Sequence, residues 1–328
     1  MQVLKAAVAG HICVDLIPEL KRGEPIVPGA LVEVGPLAIR PGGCVANTGC
    51  GLHTLGHSVR LVADIGDDDL GTDLLRVLSQ SGLDCTAIRR VSGVGTSYSL
   101  VFESPGSDRC FWHHVGANAF FDGARVDLDD ADLVHIGYPP LLPAMYASGG
   151  AALSSMLRRV RQAKATTSLD LSTVAPGSPA ARIDWGALLA SALPLVDVLS
   201  PSVDDIISTL KVPRPTSGNE TAALARRLVD MGAAAVLLTD GERGMHLVTA
   251  GTERFRDAGR CFRERVDWSD KELFVPAGAI RRVETTGAGD AATAGLLSGV
   301  LAGNSPEGAA SQASQLAALR VGGESQLS

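Results

Sequence analysis

The sequence predicts an α/β fold: a mostly parallel, helix-covered central sheet with a small antiparallel addition. Short apolar runs alternate with longer amphipathic stretches, the rhythm of βαβ units. Several of these runs end in a polar or glycine-containing step: Asp64-Ile65-Gly66, His135-Ile136-Gly137, Ser200-Pro201-Ser202 and Thr239-Asp240-Gly241. One pair of apolar segments instead flanks Ser104-Pro105-Gly106-Ser107-Asp108, a strong hairpin signal.

In chain order, residues 3–8, 59–65, 133–136, 167–171, 196–199 and 234–238 read as buried strands. Residues 70–81, 151–165 and 220–231 carry helical periodicity. The hairpin covers 98–102 and 111–115, and the Pro- and Gly-rich stretch 16–41 shows apolar alternation around 31–34. These departures from the parallel rhythm suggest a flap over the sheet or a decorative edge. Residues 251–275 are charged and without period, most simply a surface excursion. In open α/β sheets ligands sit beyond the carboxyl ends of the strands, so the polar steps above are where a site belongs, unless they are ordinary turns.

Composition narrows the function. The 328 residues suit one large α/β domain or two ordinary ones. The net charge is −7 and no run of five or more basic residues occurs, which argues against nucleic acid and anionic membrane as partners. The lysines are Lys5, Lys21, Lys164, Lys211 and Lys271, so an anionic ligand must be held mainly by arginine, backbone amides or a metal ion. The six cysteines form no CxxC and the histidines no HExxH, so no zinc or redox motif is indicated, and the thiols read as small buried hydrophobes. Residues 3–17 contain Lys5, His11 and Asp15, too polar for a membrane span or a signal peptide; a soluble cytoplasmic protein is expected. The 37 glycines exceed the usual share of about 7% and follow no collagen-like period.

Two glycine-rich turns carry the chemistry. Glu284-Thr285-Thr286-Gly287-Ala288-Gly289-Asp290 enters the N-terminus of a helix of small and apolar residues. Such a junction aims backbone N–H groups at a phosphate or a developing oxyanion, with Asp290 beside it in the first turn. Asp290 is then either a general base or simply a favourable charge at a helix start. Gly287 to Ala292 also satisfies GxGxxA, but fewer than 40 residues follow and the acid at the right distance, Glu307, sits in a turn, so dinucleotide binding is disfavoured. No Gly-Lys-Ser/Thr exists, which excludes a P-loop. The second turn, Pro41-Gly42-Gly43-Cys44-Val45-Ala46-Asn47, opens another helix, where paired glycines admit a ligand to the backbone and Asn47 suits a hydroxyl, or else caps a tight turn. Asp15, just past the first strand, suits a diol.

With these residues in place, the chain resembles the ribokinase-like, PfkB-type carbohydrate kinases. Both signatures occur in order, Gly42-Gly43-x-x-x-Asn47 and Thr285-Thr286-Gly287-Ala288-Gly289-Asp290. The resemblance extends to the run from Val62 to Gly71, to Gly116-Ala117-Asn118 and to Thr239-Asp240-Gly241-Glu242-Arg243-Gly244. It implies a three-layer αβα sandwich over residues 1–328 as one unit, with an antiparallel lid from about 14–40 and 95–118. It also implies transfer of the γ-phosphoryl group of ATP to a hydroxyl of a sugar, or alternatively of a nucleoside. A non-catalytic sugar-binding regulator is a further alternative, though base and anion hole are both intact.

By the same resemblance Asp290 is the base, and Gly287, Ala288 and Gly289 form the anion hole. Asp15, Gly42, Gly43, Asn47, Arg109 and Asn118 meet the substrate, with His113 or His114 also near the lid. Thr239, Gly241, Gly244 and Thr286 line the nucleotide site. Asp205 stands where the family has the glutamate of Asn-x-x-Glu and holds Mg2+ through water, although Ser202 replaces the asparagine. Glu284 replaces the family's aspartate, which bears on any monovalent-cation site. The lid implies pairing of two copies of the chain.

Overall fold

A computed structural model describes residues 4–20, 28–103, 110–126, 130–278 and 287–322. The strands are β1 (Lys5–Gly10), β2 (Cys13–Pro18), β3 (Leu37–Gly42), β4 (Ser58–Gly66), β5 (Asp84–Val91), β6 (Tyr98–Phe102), β7 (Cys110–His114), β8 (Leu133–Gly137), β9 (Thr166–Asp170), β10 (Val198–Leu199), β11 (Ala235–Thr239), β12 (Met245–Thr249) and β13 (Glu272–Val275). The α-helices are α1 (Gly43–Thr54), α2 (Asp69–Gln80), α3 (Pro143–Gln162), α4 (Trp185–Ala192), α5 (Val203–Leu210), α6 (Gly218–Asp230), α7 (Thr252–Arg256), α8 (Ala288–Leu301) and α9 (Pro306–Val321).

The main sheet runs β13-β12-β11-β10-β9-β8-β1-β4-β5, with every strand parallel except β12, which is antiparallel to both its neighbours. Its strands are apolar on both faces because helices cover both. Ala6 and Val8 of β1 pack in a cluster with α1, α8 and α9, while Ala7 and Ala9 pack with α3, α4, α5 and α6. In β11, Leu237 joins the first cluster and Val236 and Leu238 the second. This alternation produces three layers. From β1 the chain builds outward through β4 to β5, then returns to the other edge of β1 with β8 and continues to β11. The strand order therefore reverses between β1 and β8, where a crevice opens at the carboxyl ends.

The second sheet runs β3-β2-β6-β7, with its two hairpins joined by the parallel β2–β6 pairing. Register fixes its two faces, since directly paired residues project to the same side. Arg40, Asp15, Ser99 and His113 form one row, and Ile39, Leu16, Leu100 and Trp112 a row on the opposite face. One side is polar and meets the crevice, where the His113 ring lies 5.1 Å from that of His11. The other is apolar, with Leu37, Ile39 and Trp112 exposed.

Some expectations need correction. Residues 251–275 do not form a surface excursion: Phe255, Phe262 and Trp268 are buried in the core, and the segment ends in β13. Residues 31–34 are not a strand, and the pairing with β2 is made by β3 instead. Non-helical backbone from Ala147 to Gly150 interrupts α3, so its regular part begins at the expected Ala151. All six cysteines are free thiols, but Cys110 is exposed on β7 and not a core residue. Among the described residues no helix is long and apolar enough to cross a membrane.

Candidate active site

The crevice between β1 and β8 is roofed by the N-termini of α1 and α8. Gly287 is the N-cap of α8; it has φ +79° and supplies no side-chain cap, leaving the first-turn amides directed outward. A Cβ at Gly287 would lie 3.3 Å from Arg320 Nε and 3.7 Å from Asn47 Nδ2, whereas a Cβ at Gly289 would meet nothing within 4 Å. The turn thus has an arginine on one flank and open space on the other.

Asp290, buried in the first turn of α8, receives three side-chain hydrogen bonds. Tyr138 donates its hydroxyl to Oδ1 at 2.7 Å, Thr48 donates to Oδ1 at 3.2 Å, and Asn47 Nδ2 donates to Oδ2 at 3.0 Å. Burial pushes the Asp290 carboxyl up from its ordinary value, while these donors and the charge of Arg320 pull the other way. Asn47 and Thr48 come from the first turns of α1, and Tyr138 is the first residue past β8. Tyr138 is held at φ 62°, ψ 56° ahead of Pro139-Pro140, a left-handed conformation costing about 1 kcal/mol or more in a residue of this size. Burial and the neighbouring Asp290 push its phenol well up, so it stays protonated and donates.

The paired glycines serve two polar neighbours. A Cβ at Gly42 would stand 2.4 Å from Asp15 Oδ2, and one at Gly43 would stand 2.6 Å from His11 Nδ1. Only glycine in both places lets Asp15 and the His11 ring lie against the start of α1. Asn118, expected among the substrate contacts, holds the backbone of Ile12. It is fully buried, its Nδ2 donates to Ile12 O at 2.8 Å, and its Oδ1 accepts from Ile12 N at 3.4 Å. Its amide is occupied in both directions by the backbone that leads to Asp15. Arg109 and Thr286 lie outside the described residues, as do Glu284 and Thr285.

Along the same rim, Thr239 ends β11 and bridges to Ser202. Gly241 and Gly244 bound the short turn into β12. A Cβ at Gly244 would strike Val275 O at 2.4 Å, so close packing on β13 is enough to require glycine there. Asp205 forms a capping box with Ser202, accepting at Oδ2 from Ser202 N at 2.8 Å and from its hydroxyl at 2.6 Å; Thr173 donates to Oδ1 at 3.2 Å. Burial raises Asp205 to about 6 even so.

Two residues at strand ends were missed by sequence reasoning, as was the bond from Tyr138 to Asp290. Asp170, the last residue of β9, is buried, accepts from Leu171 N at 2.7 Å and lies 3.5 Å from Thr293 Oγ1. Its carboxyl is pushed well up by burial and by the charges of Asp205 and Asp290. His11 follows β1 and is only 3% exposed. The available signal was position: each is a polar side chain at the carboxyl end of a parallel strand or just beyond it. Among the described residues no three His, Cys, Asp or Glu side chains form a ready metal cage.

A buried carboxylate at an uncapped helix start, facing a glycine-opened pocket and flanked by more acids, suits transfer of a phosphoryl group to a hydroxyl. The comparisons agree. Over 293 residues the chain is 24% identical to "Fructokinase-2" of Oryza sativa subsp. japonica, covering 88% of this chain and 77% of that one. The ribokinase of Arabidopsis thaliana, solved with ribose and ATP, superposes with a TM-score of 0.73 at 18% identity, covering 98% of this chain and 93% of that one. A Burkholderia thailandensis nucleoside kinase, solved with inosine, gives 0.71 at 19% identity, covering 98% and 93%. The sequence profile of the pfkB family carbohydrate kinases matches residues 3–326, and the chain belongs to that family.

Proposed function

We propose that the crevice transfers the γ-phosphoryl group of ATP to a hydroxyl of a sugar, with Asp290 as general base. The observation that carries this is Asp290 itself, buried, oriented by three donors and set beside the α8 amides. Asp290 takes the acceptor's O–H proton as that oxygen bonds to the γ-phosphorus; the bond to the β-phosphate oxygen breaks and ADP leaves. The amides of Gly287, Ala288 and Gly289 receive the charge on the phosphoryl group. Asp15, Gly42, Gly43 and Asn47 hold the acceptor, a role proposed also for Arg109, while Thr239, Gly241, Gly244 and Thr286 are assigned to the nucleotide.

Mg2+ bound with the triphosphate would neutralise phosphate charge. The donor set fits an indirect hold by Asp205, since its Oδ1 accepts from Thr173 alone and the charge of Asp290 adds to burial in raising the titration of both Asp205 and Asp170.

The second sheet serves as the lid. Its polar face carries Asp15 and His113 toward the acceptor, and closure would exclude water. Its outer row of Ile39, Leu16, Leu100 and Trp112 supports pairing with a second copy of the chain: Ile39 is 59% exposed and Trp112 49%. Ile39→Glu and Trp112→Glu are expected to halve the mass seen in sedimentation of the wild type; a wild type that sediments as a monomer ends this pairing.

One observation favours a nucleoside as the alternative acceptor. Phe111 shares the inner face with His113, two residues along β7, and is 48% exposed, so it offers a platform for a base. Trp112 points to the opposite face and Phe121 is buried in the core, so neither can sandwich a base near Asp15. A coupled ADP-release assay across hexoses, pentoses, polyols and nucleosides tests both readings. Sugar-dependent turnover is expected, inosine-dependent turnover would favour the nucleoside, and none with any acceptor would overturn the kinase reading.

A further inference from the structure

Polar side chains buried without hydrogen-bond partners are uncommon and call for an explanation. His11 has neither ring nitrogen partnered and is 3% exposed. Its place is fixed from both ends of its own backbone: its N–H donates to Gly137 O at 3.1 Å and its carbonyl accepts from Val45 N at 3.1 Å. The ring fills the space left by the missing Cβ of Gly43 and stacks 5.6 Å from the ring of Tyr138, whose hydroxyl donates to Asp290. On its other side, 5.1 Å away, is His113, whose Nδ1 lies 3.1 Å from Ser99 Oγ and whose Nε2 is buried and unpartnered. Three buried, unpartnered ring nitrogens therefore lie on two adjacent rings between the lid and the base, with His11 Nδ1 against Gly43.

We propose that His11 and His113 form a two-imidazole subsite that binds a pair of uncharged hydroxyls on the phosphoryl acceptor. The assignment rests on the kinase reading of the crevice and deepens it. Burial first, then His113 for His11 and His114 for His113, holds both rings below their ordinary titration range, so both are neutral. A neutral imidazole presents one donor and one acceptor, and a hydroxyl is both, so each bare nitrogen can be matched by a diol. A carboxylate or phosphate only accepts. Such a group would leave the acceptor nitrogen of His11 unanswered and would crowd Asp15. The subsite thus selects a polyhydroxylated, uncharged portion of the substrate. Gly43 is glycine because this ring must lie there.

The test is His11→Phe, which keeps a ring of similar size and removes both nitrogens. The probe is whichever of D-fructose, D-ribose, 2-deoxy-D-ribose or inosine the wild type turns over fastest. The expected result is at least a tenfold rise in KM for that acceptor, little change in KM for ATP, and a Tm no lower than wild type. The unchanged or raised Tm matters, because a purely structural histidine would lose stability on replacement, whereas an imidazole waiting for a ligand would not. His11→Gln, which restores a donor and an acceptor, is expected to recover part of the loss. Should the phenyl ring disturb folding, His113→Phe reads the same KM from the lid strand.

Acceptor KM within twofold of wild type in a folded His11→Phe protein overturns the subsite. Calorimetry separates this from failure of the kinase reading. An acceptor that binds wild type and loses affinity in His11→Phe, yet is never phosphorylated, removes the kinase reading and keeps the subsite. No binding of any of the four probes to the wild type overturns the subsite as well.

Discussion

The two ends of the crevice treat their polar groups in opposite ways. At the base, both Asp290 oxygens are engaged by Tyr138, Asn47 and Thr48 drawn from two separate segments of the chain. Barely two rings away, His11 is as deeply buried and has no partner on either nitrogen. The difference teaches how the site divides its work. On the proposed reading Asp290, as the base, is oriented before anything binds, so little reorganisation would remain for the chemical step. The acceptor end is left incomplete, so its polar groups are satisfied only when a matching molecule arrives, and a poorly matched one leaves them bare.

The largest effect should come from removing the base. Asp290→Asn keeps the shape and, with its one carbonyl oxygen in the Oδ1 place, the bonds from Tyr138 and Thr48; it loses the acceptor for Asn47 and abolishes proton acceptance, and turnover should fall about 10²–10⁴-fold with ATP affinity largely kept. Near-normal turnover in steady-state assays would remove Asp290 from its role and dissolve the contrast between the two ends.

Tyr138→Phe should have the next largest effect. It deletes the shortest bond to Asp290 and none of the packing. A hydrogen bond to a charged group is worth about 1.5–3 kcal/mol, so a tenfold or greater loss in kcat at neutral pH is expected, with acceptor KM nearly unchanged. The sign of the pH effect follows from the same bond. Losing a donor destabilises the carboxylate, raises its pKa above the already elevated native value, and moves the acid limb of the kcat profile to higher pH. An acid limb that stays in place would mean that Tyr138 packs beside the base without setting its charge.

How much of this was legible beforehand differs between the same regions. The glycine pair and the Gly287-Ala288-Gly289-Asp290 turn announce themselves because each is a local motif, with the residues that matter a few positions apart. The partners of Asp290 do not. Tyr138 and Asp170 are brought to the crevice only by the parallel order of β8 and β9, and nothing adjacent to them in the chain marks them. His11 sits beside a strand that is easily read, but its importance lies in lacking partners, which requires knowledge of everything around it. Asn118 is legible from the run Gly116-Ala117-Asn118, but its two bonds to Ile12, 106 residues earlier, are not. In the fold, β4 and β8 stand out as short, mostly apolar runs, whereas Phe255, Phe262 and Trp268 are core residues scattered through a charged segment whose polarity hides them.

Thr48→Val should give the smallest effect and sharpen the comparison most finely. Thr48 is fully buried and reaches the same oxygen as Tyr138, but at 3.2 Å instead of 2.7 Å. Valine keeps the branched shape, so the packing of α1 against α8 is preserved while one long bond is lost. A weak bond of this kind contributes roughly 0.5–1 kcal/mol, which corresponds to a two- to fivefold drop in kcat. The acid limb should move in the same direction as in Tyr138→Phe and by less. If the two variants shift it equally, the donors act as one coupled network, and the double variant should then lose less than the product of the two single losses. If they rank as their bond lengths do, Asp290 is tuned by separate donors, and Tyr138 sets most of its charge.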